Sequence, residues 1–252
     1  MSKAELRSFF CRLPRPGARL RLFCFPHAGG GVTAFHAWPE LLPEGIELHA
    51  AQLPGRERRR HEPLQTDMAA MADEFAADML AMNDRPIALF GFSMGALLAY
   101  EVARRLSGQA GIGLDHLLVA ARRAPHLPYD RAIHHLPDEA FIQELQQKYG
   151  GLPDVVRESR ELLDYFLPII RADLTLLETY CHSPGTPLDC RISVYGGTQD
   201  SSTTPAQLDA WSQHSRWGSD TLMIEGGHFF PQANLEALLA DISRRLLPTG
   251  AV

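Results

Sequence analysis

Cysteine is scarce in this chain. The 252 residues hold four, Cys11, Cys24, Cys181 and Cys190, and no two of them form a C-x-x-C pair. That excludes a disulfide-stapled scaffold, a zinc ribbon and a thioredoxin-type redox motif. Cys24 and Cys190 fall inside apolar runs and read as small core residues of a reduced, cytoplasmic protein. No apolar run is long enough to cross a bilayer. Residues 1–12 lack the apolar stretch of a secretory leader. Positive charge is short as well. Lys and Arg number 24 against 30 Asp and Glu, a formal charge of −6, where a nucleic-acid binder would show a basic footprint. The local basic clusters are Arg56 to Arg60 and Arg122-Arg123, and the first reads as a solvated loop. Repeats and low-complexity segments are absent. The Gly29-Gly30-Gly31 loop is followed by no Gly-Lys-Ser/Thr and completes no G-x-G-x-x-G, which argues against a phosphate cradle.

Against these absences, one stretch stands out. Ile87-Ala88-Leu89-Phe90 is an apolar run that leads into Gly91-Phe92-Ser93-Met94-Gly95, and an Ala/Leu-rich helical pattern starts at once. A serine on a sharp strand-to-helix turn is pushed out above the sheet edge with its hydroxyl exposed. Gly91 and Gly95 remove side chains that would collide where strand and helix meet. Met94 follows the serine at the helix N-terminus, where its N–H faces developing negative charge. A serine hydroxyl is a poor nucleophile at neutral pH without a base, so the pattern predicts a histidine and an acid elsewhere.

There are 11 histidines. His228 lies in Glu225-Gly226-Gly227-His228-Phe229-Phe230, just past the apolar run Thr221 to Ile224. Loops at the end of a rigid sheet carry most catalytic side chains, so His228 is the expected base. In the order Ser, acid, His, Asp200 is the expected acid: Cys190 to Tyr195 reads as a strand and runs into Gly196-Gly197-Thr198-Gln199-Asp200. An aspartate ahead of Ser201 and Ser202 also suits a turn or a helix cap. Glu225 and Asp173 are rivals for the acid. Glu225 is close to His228 in sequence, and Asp173 sits in a helical segment. The early run Leu20 to Phe25 leads into Pro26-His27-Ala28-Gly29-Gly30-Gly31. A small-residue loop there lets backbone N–H groups approach a substrate oxygen, so Ala28 and Met94 are the expected oxyanion donors. His27 is expected to order that loop.

Strands are expected near 20–25, 46–52, 86–91, 115–121, 190–195 and 220–224. Helices are expected near 33–41, 67–82, 94–107, 204–214 and 234–247. Continuous apolar strands that alternate with helices predict an α/β fold with a doubly wound, mostly parallel sheet. One α/β-hydrolase domain over 1–252 accommodates all of it. Between 125 and 187 no strand pattern occurs. Leu136-Pro137-Asp138-Glu139 and Leu152-Pro153-Asp154 look like helix starts. Glu161 to Tyr180 is helical and apolar on more than one side, with Pro168 expected to kink or split it. This insertion is expected to be a helical lid over the serine, forming an apolar acyl pocket.

His27 to Gly31, Leu53-Pro54-Gly55-Arg56, Gly91 to Gly95, Arg122-Arg123-Ala124-Pro125, Gly196 to Asp200 and Gly226 to Phe230 together resemble the type II thioesterases that accompany polyketide synthases and nonribosomal peptide synthetases. The likeness spans about Arg19 to Leu247 and includes the Leu-Pro-Asp-Glu and Tyr-Gly-Gly-Leu-Pro pieces of the insertion. The resemblance implies hydrolysis of acyl thioesters on the phosphopantetheine arm of acyl- or peptidyl-carrier proteins. Ser93 would be the nucleophile, His228 the base, Asp200 the acid, and Ala28 and Met94 the oxyanion hole. No metal or bound cofactor is implied, since the phosphopantetheine belongs to the substrate. Carrier proteins are usually acidic, so Arg56, Arg58, Arg59 or Arg123 are docking candidates. One departure is Phe92, where the family often has histidine. The alternatives are a small-molecule carboxylesterase or acyltransferase with the same triad, or a noncatalytic hydrolase-like binding module.

Overall fold

A computed structural model describes residues 7–247 apart from 110, 130 and 151. The ends of the expected 1–252 domain, including residues 1–6 of the 1–12 stretch, and Gly151 therefore lie outside the described residues. The elements in order are β1 (Phe9–Phe10), β2 (Leu20–Phe25), α1 (Trp38–Leu41), β3 (Ile46–Ala51), α2 (Met68–Leu80), β4 (Ile87–Phe92), α3 (Met94–Leu106) and β5 (Leu114–Ala120). Then follow α4 (Asp138–Tyr149), α5 (Asp154–Arg157), α6 (Arg160–Glu178), β6 (Arg191–Gly197), α7 (Pro205–Asp209), β7 (Ser219–Ile224), α8 (Phe230–Ala233) and α9 (Leu235–Leu246).

The strands form one seven-stranded sheet in the order β1-β3-β2-β4-β5-β6-β7. Among the described residues only β1 runs antiparallel, pairing Phe9 with Ala51 and Phe10 with Ala50. Every residue of β2, β3 and β4 is buried, as required of parallel strands with helices on both faces. Alternation sends Leu22 and Cys24 into the layer under α1 and α9, and Phe23 and Phe25 into the layer under α2 and α3. Chain order reverses at β2: β3 lies on one side and β4 on the other. Such a reversal opens a crevice at the strand C-terminal ends. The Gly29-Gly30-Gly31 loop follows β2 and Ser93 follows β4, so both border that crevice.

Local departures from the sequence reading have physical causes. The strand β1 is too short for any periodicity, yet its Phe9 packs edge-on against Phe23, Phe25 and Phe75 at 4.7, 6.0 and 5.2 Å. The expected helix 33–41 divides into a 3-10 turn, Val32–Phe35, and the short α1, whose first turn holds Pro39. The helix expected at 204–214 likewise continues past Asp209 as a 3-10 turn. Pro168 does not split α6, which runs unbroken from Arg160 to Glu178. Both Pro168 and Asp164, the residue whose carbonyl loses its donor, lie on the exposed side, where water replaces the missing bond.

Close packing of α3 on the end of β2 fixes the serine turn. A Cβ on Gly91 would overlap the Gly95 carbonyl, and one on Gly95 would overlap the Phe25 carbonyl. Both obstacles are backbone, so no side-chain rotation relieves them. Gly95→Ala is expected to destabilise the protein by at least ~3 kcal/mol in urea unfolding, the scale of severe overpacking. Gly17→Ala, with nothing within 4 Å of the added carbon, is expected to stay within ~0.5 kcal/mol of the parent.

Candidate active site

Ser93 occupies φ 55° and ψ −111° between β4 and α3. A non-glycine residue in that region is strained by one or more kcal/mol, on the order of 1–3. The fold enforces it from both sides. Ser93 N–H donates to Ala120 O at 2.8 Å, and its carbonyl accepts from Ala96 N–H at 3.1 Å. The strain turns Oγ away from the sheet and into the crevice.

His228 is delivered by the loop after β7, and Asp200 by the loop after β6. His228 Nε2 lies 3.0 Å from Ser93 Oγ, and His228 Nδ1 lies 2.9 Å from Asp200 Oδ2. A carboxylate acceptor at Nδ1 places the ring proton there, which leaves Nε2 to accept from the Ser93 hydroxyl. All three residues are buried. Burial pushes the Asp200 carboxyl up, but the hydrogen bond and charge of His228, with the Ser202 hydroxyl and N–H, outweigh it and hold the group below the ordinary aspartate range. Asp200 also accepts from Ser202 N–H at 2.9 Å, so the turn-capping reading of this aspartate and its pairing with His228 hold together. The rivals are elsewhere. Glu225 is exposed. Asp173 is fully buried and bonds Arg56 and Gly29.

That Asp173 pair is the feature the sequence reading missed. Asp173, on α6, takes two bonds from Arg56: Nη1 to Oδ2 at 2.7 Å and Nη2 to Oδ1 at 2.6 Å. Asp173 Oδ2 also accepts from Gly29 N–H at 2.7 Å, and Arg56 Nη1 donates to Gly30 O at 2.9 Å. Helix α6 thereby grips the loop that holds Ala28. Gly29 sits at φ +79°, and a Cβ there would come within 2.7 Å of Ile170 on the same helix. With Gly29 N–H bound to Asp173 and Gly30 N–H to His27 O, the loop is committed to one shape around Ala28. Met94 N–H belongs to the first turn of α3, where no intrahelical acceptor exists.

The Arg56 to Arg60 segment is therefore not a solvated loop. Arg56 and Arg59 are each only 4% exposed. Arg59 pairs with Glu62 and Glu74 and donates to Gln52 O, while Arg58 and Arg60 face solvent. Arg123 is also buried, with a bond to Pro128 O at 2.8 Å. Of the four arginines read as docking candidates, Arg58 alone is exposed.

A cavity of about 60 Å³ opens beside Ser93. His27, Ala28, His228 and Phe229 line one side, and Leu145, Tyr149, Leu152, Ile170, Leu174 and Leu177 from the helical segment between β5 and β6 line the other. The walls are mostly aliphatic and aromatic, with Ser93, His228, His27 and Tyr149 as the polar side chains, and the Tyr149 ring stands 5.0 Å from the His228 ring. Phe92 packs 5.1 Å from His27 and 5.6 Å from His228. Burial, with His228 and the Arg56 guanidinium, pushes His27 down to about 4, so it stays neutral at neutral pH beside the base. Among the described residues, a second cluster, Cys11, Glu47 and His49, has metal-ligand spacing, but there Glu47 already bonds Arg21, His49 and the Arg15 N–H.

Comparison with known proteins gives a consistent result. The thioesterase domain profile matches residues 20–246. The chain is 40% identical to linear gramicidin dehydrogenase LgrE of Brevibacillus parabrevis, over 91% of this chain and 88% of that protein. It is 34% identical to thioesterase PikA5 of Streptomyces venezuelae, over 94% of this chain and 84% of that protein. Among solved structures, the type II thioesterase BorB from the borrelidin biosynthetic cluster superposes with a TM-score of 0.85 at 37% identity, over 95% of this chain and 97% of that one. The loop after β2 is held by Glu57, whose carboxylate accepts from the N–H groups of Val32 and Thr33 at 3.0 and 3.4 Å.

Removing one member of a buried ion pair strands its partner at a cost of ~3–5 kcal/mol. Asp173→Asn is expected to lose that much stability and to lower turnover. The double variant Arg56→Met/Asp173→Leu is expected to recover most of the stability. It is not expected to recover turnover, because the Gly29 anchor is gone. Urea unfolding and steady-state kinetics on the same preparations check both statements.

Proposed function

The chain belongs to the thioesterase family, as a type II thioesterase of the kind found with polyketide and nonribosomal peptide pathways, and from that premise we propose that it releases acyl groups from the phosphopantetheine thiol of carrier proteins through Ser93, His228 and Asp200. The observation that carries this reading is the placement of one imidazole between Ser93 and Asp200, at the wall of an apolar cavity.

In the acylation step, Ser93 Oγ attacks the thioester carbonyl carbon while His228 Nε2 takes the hydroxyl proton. Asp200 Oδ2, bonded to Nδ1–H, stabilises the imidazolium. The carbonyl oxygen becomes an oxyanion held by the N–H groups of Ala28 and Met94, each typically worth about 3 kcal/mol. The C–S bond breaks, and His228 returns the proton to the departing thiol. Water then attacks the acyl-serine with His228 as base again, which frees the acid and restores Ser93. No metal or bound cofactor enters this sequence, because the phosphopantetheine arrives with the substrate. The cytoplasm, where carrier-bound substrates are made, suits a chain in which no disulfide joins the four cysteines and no helix among the described residues can cross a membrane.

The cavity limits the acyl group. Its apolar lining and about 60 Å³ of free space beside Ser93, room for a few water molecules, suit a short acyl group better than a long chain. The expected outcome on a panel of acyl-carrier thioesters is that acetyl and propionyl groups leave at least ~10-fold faster than dodecanoyl, in line with the weight of single methylenes in a closed pocket. Carrier thioesters should also exceed oxygen esters of the same acid. Ser93→Ala should lower kcat on the order of 10⁴-fold or more. A preference for oxygen esters would favour the carboxylesterase reading, and full activity without the Ser93 hydroxyl would favour a noncatalytic module.

Arg58 is exposed and stacks 4.6 Å over the Phe10 ring, which makes it the candidate to meet an acidic carrier. Arg58→Glu is expected to raise KM several-fold for carrier-bound substrate, with a matching loss of salt dependence, and to leave hydrolysis of a small pantetheine thioester unchanged.

A further inference from the structure

The two oxygens of Asp200 are held by different partners. Oδ2 faces His228 Nδ1 at 2.9 Å. Oδ1 accepts twice from one residue, Ser202: from its backbone N–H at 2.9 Å and from its hydroxyl at 2.6 Å. Ser202 Oγ in turn lies 3.0 Å from His228 Nδ1. With the Ser202 proton directed at Asp200 Oδ1, a lone pair of Oγ is left to face Nδ1–H. The single Nδ1–H proton therefore has two acceptors, Asp200 Oδ2 and Ser202 Oγ.

Two consequences follow from this three-sided contact. The terminal torsion of an aspartate is broad and two-fold, so nothing covalent decides which oxygen meets the ring. The two bonds from Ser202 pin Oδ1 and turn Oδ2 toward His228. Acyl transfer also places a full positive charge on the imidazole, and Ser202 Oγ is already in place as a second acceptor for it. We propose that Ser202 is a positioning residue for the hydrolytic reaction, one that sets the Asp200 carboxylate and shares the Nδ1–H of His228. The proposal rests on the assignment of Ser93, His228 and Asp200 given above. Ser202 is half-buried and borders a cavity of about 320 Å³ shared with Arg123 and Lys148, so one more methyl group at this position has somewhere to go.

Backbone and hydroxyl contributions separate by substitution. The N–H to Oδ1 bond survives in every variant except proline, which keeps the turn. Threonine and valine have nearly the same shape and differ by the hydroxyl alone. Ser202→Thr is expected to retain kcat within about twofold, and Ser202→Val and Ser202→Ala to lose about tenfold in kcat, the scale of one hydrogen bond to a charged group. KM should stay within about twofold in all three, since Ser202 is on the far side of His228 from the substrate cavity. The rate of labelling by a serine-directed phosphonate should fall in parallel with kcat. Melting temperatures of the threonine and valine forms should agree within ~2 °C. Equal kcat in the threonine and valine variants, or an unchanged kcat in alanine, overturns the proposal. Ser93→Ala run alongside distinguishes the two levels. If that variant stays active, the nucleophile assignment fails. If it is inactive while the valine variant is unimpaired, the role of Ser202 alone fails.

Discussion

Everything at this site depends on how closely the start of α3 approaches the end of β2. Only hydrogen at Gly95 allows the Phe25 carbonyl to lie where it does, and only hydrogen at Gly91 allows the helix to turn back so sharply. That approach sets Met94 N–H beside the loop carrying Ala28. It also holds Ser93 at a strained φ of 55°, with the energy for that strain supplied by the buried strands on either side. The remaining partners need less. His228 and Asp200 come from loops at the same sheet edge, where the ring bridges Ser93 and the carboxylate.

The local parts of this arrangement were legible in the sequence. Ile87 to Gly95 contains the strand, the turn and the helix start within nine positions, so no long-range information was needed. Asp200 and His228 follow apolar runs that end in paired glycines, and a parallel sheet then sends both loops to one edge. The places of the six longer strands along the chain were expected from their apolar runs and the helices between them, whereas β1, with two residues, carries no period. Helix 33–41 was overextended because its apolar spacing looked continuous, while the proline in the first turn of α1 ends the pattern in three dimensions.

What the sequence hid were pairings between distant positions. Arg56 sits in a run of charged residues that by composition belongs on the surface. Its partner, Asp173, is 117 positions away, and no periodicity links an arginine in a loop to an aspartate on a helix. Ser202 was visible only as a companion of a turn. Its contact with His228 spans 26 positions and exists only because β6 and β7 are neighbours. Buried polar groups are satisfied by whatever the fold brings near, so such contacts are the last to be read from a linear pattern.

The Arg56–Asp173 pair bears on how a substrate gets in. Drawing α6 away from the sheet would strand a guanidinium and a carboxylate in a poorly hydrated interior and release the Gly29 loop with them. Helix α6 therefore behaves as a fixed jamb, part of the frame. The start of α4 is tied to that frame in turn, since Arg171 of α6 donates to Asp138 Oδ1 at 2.6 Å and to Leu136 O at 2.8 Å, so the wall over the crevice hangs from one helix that is itself bolted to the sheet-end loop.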